Sequence, residues 1–324
     1  MTKIIAEFCQ NHNGNFELLK KMIDDAAEAG ATHAKIQSIE SKNLTFRPEF
    51  ENGLILDSKT HAIKRPYQLE FDRLKALEIN DEQSFKFIEL CKKNNLIPMT
   101  TCFVRSDVNR LYDIGFRAIK VASYDCGSFP LLKELSNKFG EIILSTGASF
   151  DEEIIHASKI LKKVDFTLLH CITIYPTPLN DMNLSRMNWL RKFSKKIGFS
   201  DHSLVERDGI IASKVALSQG AEVIERHFTV LDKDKSKDGP VSINKSMLKE
   251  LVEFSKKDLN EKLEILNFEK IDLKSILGKS NRELTEIELL NRDYYRGRFA
   301  SIRKSYEKNK QQMIYNWEET PLSL

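Results

Sequence analysis

Two short stretches carry chemistry that an apolar core has no use for. "GFSDHS" at 198–203 ends in serine, aspartate and histidine, and "EVIERHFT" at 222–229 carries Glu225, Arg226 and His227 toward its far end. Both are strand-like, and alternate side chains of a strand share a face, which groups Ser200 with His202 and Glu225 with His227. Neighbouring strands lie about 4.8 Å apart, so the two imidazoles can reach one divalent ion. Imidazole suits Zn²⁺, Mn²⁺ and Fe²⁺ alike, and the spacing does not name the metal. Either histidine alone would more simply bond a backbone carbonyl. As a pair, with Asp201 and Glu225 beside them, they point to metal binding.

Lys35 and Lys120 form a second constellation, with hydroxyls at Thr101, Ser123, Ser145 and Ser200. Two ammoniums plus hydroxyls suit a phosphate held by charge-assisted hydrogen bonds. The competing readings are internal salt bridges to Glu7, Asp125 or Glu225, and a Schiff-base nucleophile at Lys120. Cys9 is a possible soft ligand, though a small buried thiol is the simpler role. "QNHNG" at 10–14 has the composition of a tight turn, and Tyr175 in "IYPTP" sits on a proline-stiffened loop where it either contacts substrate or caps a rim.

Strand-like runs at 3–9, 33–38, 96–101, 118–123, 141–146, 165–171, 196–201 and 222–228 alternate with helical patterns. "FELLKKMIDDAAEAG" ends at Gly30, "DGIIASKVALSQG" at Gly220, and Ser149 and Glu152 have capping-box spacing ahead of a third helix. Eight strands each followed by a helix predict a (β/α)₈ TIM barrel at 1–262. A doubly wound open sheet is the alternative, but no GxGxxG follows the first strand. Barrel strands point alternate residues inward, and on that rule Glu7, Lys35, Thr101, Lys120, Ser145, Ser200, His202, Glu225 and His227 all face the interior near the carboxyl ends of the strands. The connection 39–80 is long and part helical, the kind of loop that carries function. Residues 263–324 break the alternation and read as a short C-terminal extension: a helix over 284–301, then two short strands around a charged loop.

Of 324 residues, 41% are hydrophobic and 30% charged, ordinary for a globular protein with ample core. The mixed-sign net charge of +3 predicts no nucleic-acid or membrane-surface partner. No apolar run approaches the ~20 residues of a membrane span. "MTKIIAEF" lacks a signal-peptide core because Glu7 interrupts it, and five cysteines without CxxC spacing point to reduced thiols and a cytoplasmic location.

"AEFCQNHNG", "AKIQS", "IKVAS", "ILSTGAS", "LLHCITIYPTP", "GFSDHS" and "ERHFT" occur in the order of the sialic acid synthase family, which the chain resembles over roughly residues 3–240. The resemblance implies condensation of phosphoenolpyruvate with an open-chain acylamino sugar aldehyde, giving a 2-keto-3-deoxy sugar acid and phosphate. It also implies a divalent metal, Mn²⁺ or Mg²⁺, and a homodimer. Carried over by motif, it makes His202 and His227 the metal ligands. Lys35, Thr101, Lys120, Ser123, Ser145 and Ser200 become the phosphoenolpyruvate site, and Glu7 and Tyr175 the sugar side. Ser123 has the wrong parity for the fourth strand and should lie just beyond it.

The chain also departs from the family pattern. After the fourth strand Asp125 supplies a shorter carboxylate than is usual, Thr173 stands where an asparagine is expected, and Val241 replaces a sugar-binding aspartate. The pattern of a C-terminal antifreeze-like domain, which reaches into a partner's site with an arginine, is missing; Arg296 or Arg298 is a candidate substitute. These changes leave a Schiff-base aldolase or a non-catalytic sugar-binding relative as alternatives to the synthase.

Overall fold

The computed structural model describes residues 2–303 and 313–322. Eight parallel strands close into a barrel: β1 Lys3–Cys9, β2 His33–Gln37, β3 Ile97–Thr101, β4 Ala118–Val121, β5 Glu141–Ser145, β6 Asp165–His170, β7 Lys196–Asp201 and β8 Val223–His227. Each pairs in parallel with its sequence neighbours, and β8 closes on β1 with Ile5 opposite Glu225 and Glu7 opposite His227. The predicted (β/α)₈ barrel is therefore present, with every strand within a few residues of its expected place.

Outward-facing strand residues such as Ile4, Ala6, Phe8, Ile224 and Phe199 pack under the helices in the main core. Inward-facing residues form a separate small plug of Ile5, Met99, Ala118, Ile143, Leu169 and Val223. Gly198 belongs to that layer because a Cβ there would lie 2.3 Å from the Val223 carbonyl oxygen. One step toward the carboxyl ends, the same strands present Glu7, Thr101, Lys120, Ser145, Ser200 and Glu225, all buried. The plug thus forms a dry floor on which the polar residues stand.

Helix Phe16–Glu28 begins where Asn15 Oδ1 accepts the amides of Glu17 and Leu18. The "QNHNG" turn before it is real: Asn13 and Gly14 have φ of 50° and 72°. A Cβ on Gly14 would meet the Ala76 carbonyl oxygen at 2.3 Å, so that position needs glycine. The third helix, Asp151–Leu161, starts one residue later than its spacing predicted. Glu153 accepts the Phe150 amide, and Ser149 instead turns inward to donate to the Ser123 and Gly147 carbonyls. The 39–80 connection holds an exposed hairpin, Leu54–Leu56 with Lys59–Ala62, and helix Tyr67–Lys75.

Residue 262 falls inside helix Leu259–Phe268, whose Leu266 sits in the main core, so no linker separates barrel from extension there. Helix Glu286–Tyr295 and the strand pair Ala300–Ile302 and Met313–Tyr315 then cross the barrel mouth; the charged loop between those strands lies outside the described residues. Five successive loops hold the extension, the first being the 39–80 connection, where Thr45 N donates to Arg298 O at 3.0 Å and Arg47 Nη1 to Asp293 O at 2.9 Å. Asn316 Nδ2 donates to Phe103 O at 2.7 Å and Asp125 Oδ1 at 2.9 Å, and Arg105 Nη1 donates to Glu318 O at 2.7 Å. Arg292 Nη1 donates to Ala148 O at 2.6 Å and Asn291 Nδ2 to Thr173 O at 2.8 Å. These anchor loops follow β2, β3, β4, β5 and β6, so the extension covers that side of the mouth.

Burial pushes the Asp125 carboxyl up to about 6, against the hydrogen bonds from Asn316 and Ser128. An unfolded aspartate titrates near about 4. The stability contributed by neutral Asp125 is therefore whole below that value and lost as pH rises through about 6. Asp125→Asn, which keeps an acceptor oxygen but cannot ionise, should gain melting temperature over the parent when both are compared between about pH 4 and about pH 8. An unchanged difference across that range would remove Asp125 as the cause.

Candidate active site

Above the apolar plug, four charges from four strands meet. Lys35 of β2 contacts the Glu7 carboxylate of β1 directly, donates to Thr101 Oγ1 at 3.1 Å, and lies 3.7 Å from Glu225 of β8. Lys120 of β4 reaches across the barrel to Glu225 Oε1 at 2.6 Å, and Ser200 Oγ donates to the same oxygen at 2.9 Å. The ion-pair reading of both lysines is thus what the structure shows, with Glu7 and Glu225 as partners. Burial would raise the Glu225 pKa, but Lys120 and Lys35 outweigh it and hold the carboxylate well below the usual range. Burial lowers the Lys35 ammonium, with Glu225 opposing.

A third layer lies above the charges. His202 follows β7 and His227 ends β8, their ring centres 5.6 Å apart. His202 Nδ1 lies 3.0 Å from the Ile172 carbonyl oxygen, an acceptor, which assigns the proton to Nδ1 and leaves Nε2 to accept from Tyr175 Oη at 3.1 Å. The Tyr175 ring stacks 4.1 Å from that of His202 and 6.5 Å from that of His227. Burial, followed by the neighbouring His227, pushes His202 down to about 3, and burial lowers His227 as well. Both rings are neutral at ordinary pH, the form that binds metal. His227 Nδ1 is buried and without a hydrogen-bond partner. A divalent ion fits these two rings.

Several expected residues sit elsewhere. Asp201 does not stand beside the histidines: its parity sends it outward to a fully buried pair with Arg226 at 2.6 Å, where Ser213 Oγ also donates to it. Asp125, expected as a catalytic carboxylate, bonds Ser128 and Asn316 and anchors the extension. Ser123 does lie just beyond β4, in the turn Ser123–Asp125, with its Oγ 3.0 Å from Cys171 Sγ and accepting the Gly147 amide. Thr173 is buried, its carbonyl taken by the extension, and Val241 is buried in the turn Gly239–Val241. Arg298 pairs with Glu70, and Arg296 packs over Trp317, 3.7 Å from Glu153, so both arginines serve the docking of the extension.

Sequence reasoning missed Asp238 and Arg73. Asp238 accepts from the Cys9 thiol at 2.8 Å, while Arg73 links Glu70 to Gln10. Both border a cavity of about 470 Å³ over β1 and the 234–238 loop, the open half of the mouth. The signal for Asp238 was weak, an acidic residue among charged neighbours before Gly239.

A layer of paired ammoniums beneath two neutral imidazoles at the carboxyl end of a barrel suits an anionic substrate. The NeuB family model matches residues 22–262, and the chain belongs to that family. It is 36% identical to the N,N'-diacetyllegionaminic acid synthase of Campylobacter jejuni, over 74% of this chain and 70% of that one. It is 32% identical to the N-acetylneuraminate-9-phosphate synthase of Drosophila melanogaster, over 76% of this chain and 65% of that one. The crystal structure of an N-acetylneuraminic acid synthetase from Leptospira borgpetersenii superposes with a TM-score of 0.69 at 29% identity, covering 90% of each chain. The chain is accordingly an enzyme of the sialic-acid-synthase type.

Removing one partner of a buried pair strands the other charge, at a cost of about 3–5 kcal/mol. Glu225→Gln should therefore lower unfolding stability by about 3 kcal/mol in urea titrations, and inorganic phosphate should stabilise the variant more than the parent. Equal stabilisation of both proteins would show that the lysines do not receive an anion.

Proposed function

We propose that the chain condenses phosphoenolpyruvate with the open-chain aldehyde of an acylamino sugar to give a nonulosonic acid and phosphate. The observation that carries this reading is the Lys35–Lys120 pair beneath the two imidazoles. An incoming phosphate and carboxylate take hydrogen bonds from the ammoniums, while Glu7, Glu225, Thr101 and Ser200 fix where those ammoniums point. Ser123 and Ser145, buried at the ends of adjoining strands, add hydroxyls to the same layer. Family membership and the names of the relatives support the reaction, and one of those names specifies an N,N'-diacetyl product, which makes an acylamino sugar the first acceptor to test.

Carbon 3 of phosphoenolpyruvate forms the new bond to the aldehyde carbon. The aldehyde oxygen takes the hydroxyl proton of Tyr175, which solvent then restores. Water adds at carbon 2 and gives its proton to the Glu7 carboxylate. The carbon–oxygen bond to phosphate then breaks as the ketone forms. Mn²⁺ or Mg²⁺ bound at His202 and His227 would supply Lewis-acid polarisation of the aldehyde. Holding both substrates in one barrel mouth contributes proximity.

A homodimer accords with the exposed apolar side chains of Leu54, Ile55 and Leu56 on the hairpin. The five free, buried cysteines support a reducing, cytoplasmic setting, and no helix among the described residues is long and apolar enough to cross a membrane.

Phosphate release should require phosphoenolpyruvate, one acylamino sugar and a divalent ion together, and should stop on chelation. Lys120→Ala should lower kcat/KM by about 10² or more, and borohydride should trap no adduct. Release that survives chelation, or a reduced adduct on Lys120, would sink this mechanism.

A further inference from the structure

Helix Glu286–Tyr295 of the extension packs on the barrel mouth with its polarity inverted. A surface helix ordinarily buries its apolar stripe. Here Ile287 and Leu289 face outward, 54% and 37% exposed, while the barrel meets Asn291, Arg292 and Tyr295. With the fully buried Glu288, these residues have the i, i+3, i+4, i+7 spacing of one helix face. An apolar face would hold the extension by burial, which has no direction. Hydrogen bonds hold it in one orientation only.

Each contact lands on a loop that carries a residue of the site. Arg292 bonds Ala148 O, next to Gly147, whose amide donates to Ser123 Oγ at 3.2 Å. The Tyr295 ring stacks 5.0 Å from that of Tyr124, the neighbour of Ser123. Asn291 Nδ2 donates to Thr173 O at 2.8 Å. Thr173 follows Ile172, whose carbonyl takes the His202 Nδ1 proton, and precedes Tyr175 by two residues. On the far side of Tyr175, the Thr177 amide donates to His202 O at 2.9 Å. The segment is thus pinned at Thr173 by the extension and at Thr177 by the residue after β7, and Tyr175, 51% exposed, is presented between the two pins. The loop after β5 backs Thr173 closely, since a Cβ on Gly147 would lie 2.8 Å from its Cγ2. The helix is itself braced: Glu288 accepts from Arg282 at 2.7 and 2.5 Å and from the Thr285 amide at 3.0 Å.

We propose that Asn291 is a positioning residue for the acceptor side of the site. Through Thr173 it fixes where the Tyr175 hydroxyl stands, so the extension supplies a working part of the site from within the same chain. This rests on the proposed function for the use of that hydroxyl as proton donor to the aldehyde oxygen. The phosphoenolpyruvate side stands on Lys35 and Lys120, whose partners Glu7, Thr101 and Glu225 all belong to strands. Losing the Asn291 bond therefore acts on the chemical step and leaves binding of the anion alone.

The test compares three variants. Asn291→Leu is similar in size but unable to donate, Asn291→Gln keeps the donor, and Asn316→Ala loosens the extension on Phe103 and Asp125 instead. In phosphate-release assays with saturating substrates and Mn²⁺, Asn291→Leu should lower kcat about tenfold or more. Its KM for phosphoenolpyruvate should stay within about twofold of the parent, and Asn291→Gln should regain most of kcat. Asn316→Ala should keep kcat within about twofold. Without substrates or metal, hydrogen exchange read by mass spectrometry should quicken about tenfold at the Thr177 amide in Asn291→Leu and not in Asn316→Ala. Equal kcat losses in Asn291→Leu and Asn316→Ala, a raised phosphoenolpyruvate KM in place of a kcat loss, or unchanged exchange at Thr177 would overturn the role of Asn291. If the parent releases no phosphate with any acylamino sugar, the proposed function fails, and the exchange comparison still decides whether Asn291 holds the loop.

Discussion

The structure depends on satisfying four buried charges at the top of a closed barrel. Strand parity leaves no choice about where Glu7, Lys35, Lys120 and Glu225 point: in a closed parallel sheet the alternative face is the dry packing under the helices. Unpaired, each would cost several kcal/mol. Paired, they form a network whose net charge is near zero and whose hydrogen bonds are not all used, since Glu225 Oε2 has no hydrogen-bond partner. Such a network is stable enough to fold and incomplete enough to accept an anion.

That constraint explains the layering along the strands. The plug of Ile5, Met99, Ala118, Ile143, Leu169 and Val223 excludes water from below, which strengthens every electrostatic interaction above it. Two residues further along each strand come the charges, and two further again come His202 and His227. The outward residues between them, Asp201 and Arg226, solve a different problem, tying β7 to β8 by a pair with no exposure at all. "GFSDHS" and "ERHF" therefore interleave two roles at alternate positions, one facing the candidate site, the other tying strands together on the outside.

Much of this was legible because period two and helix punctuation are local signals. The eight strands, the inward set and the position of Ser123 beyond β4 all follow from residues within a few positions of one another. What was not legible depends on contacts distant in sequence. Asp125 reads as a site carboxylate until Asn316, 191 residues away, claims it. Ser149 reads as a helix cap until the Ser123 carbonyl competes for its hydroxyl. Asp238 reads as one more surface charge, because nothing nearby in sequence reveals that Asn11 and Ser236 pin its loop over Cys9. Asp201 is the exception: alternation was enough to place it outside, and its nearness to His202 in sequence was misleading.

The extension, anchored on the loops after β2 to β6, turns a round mouth into a one-sided doorway. A small anion that settles on the lysine layer lies at the back of that doorway, and a bulkier second molecule must stand in front of it.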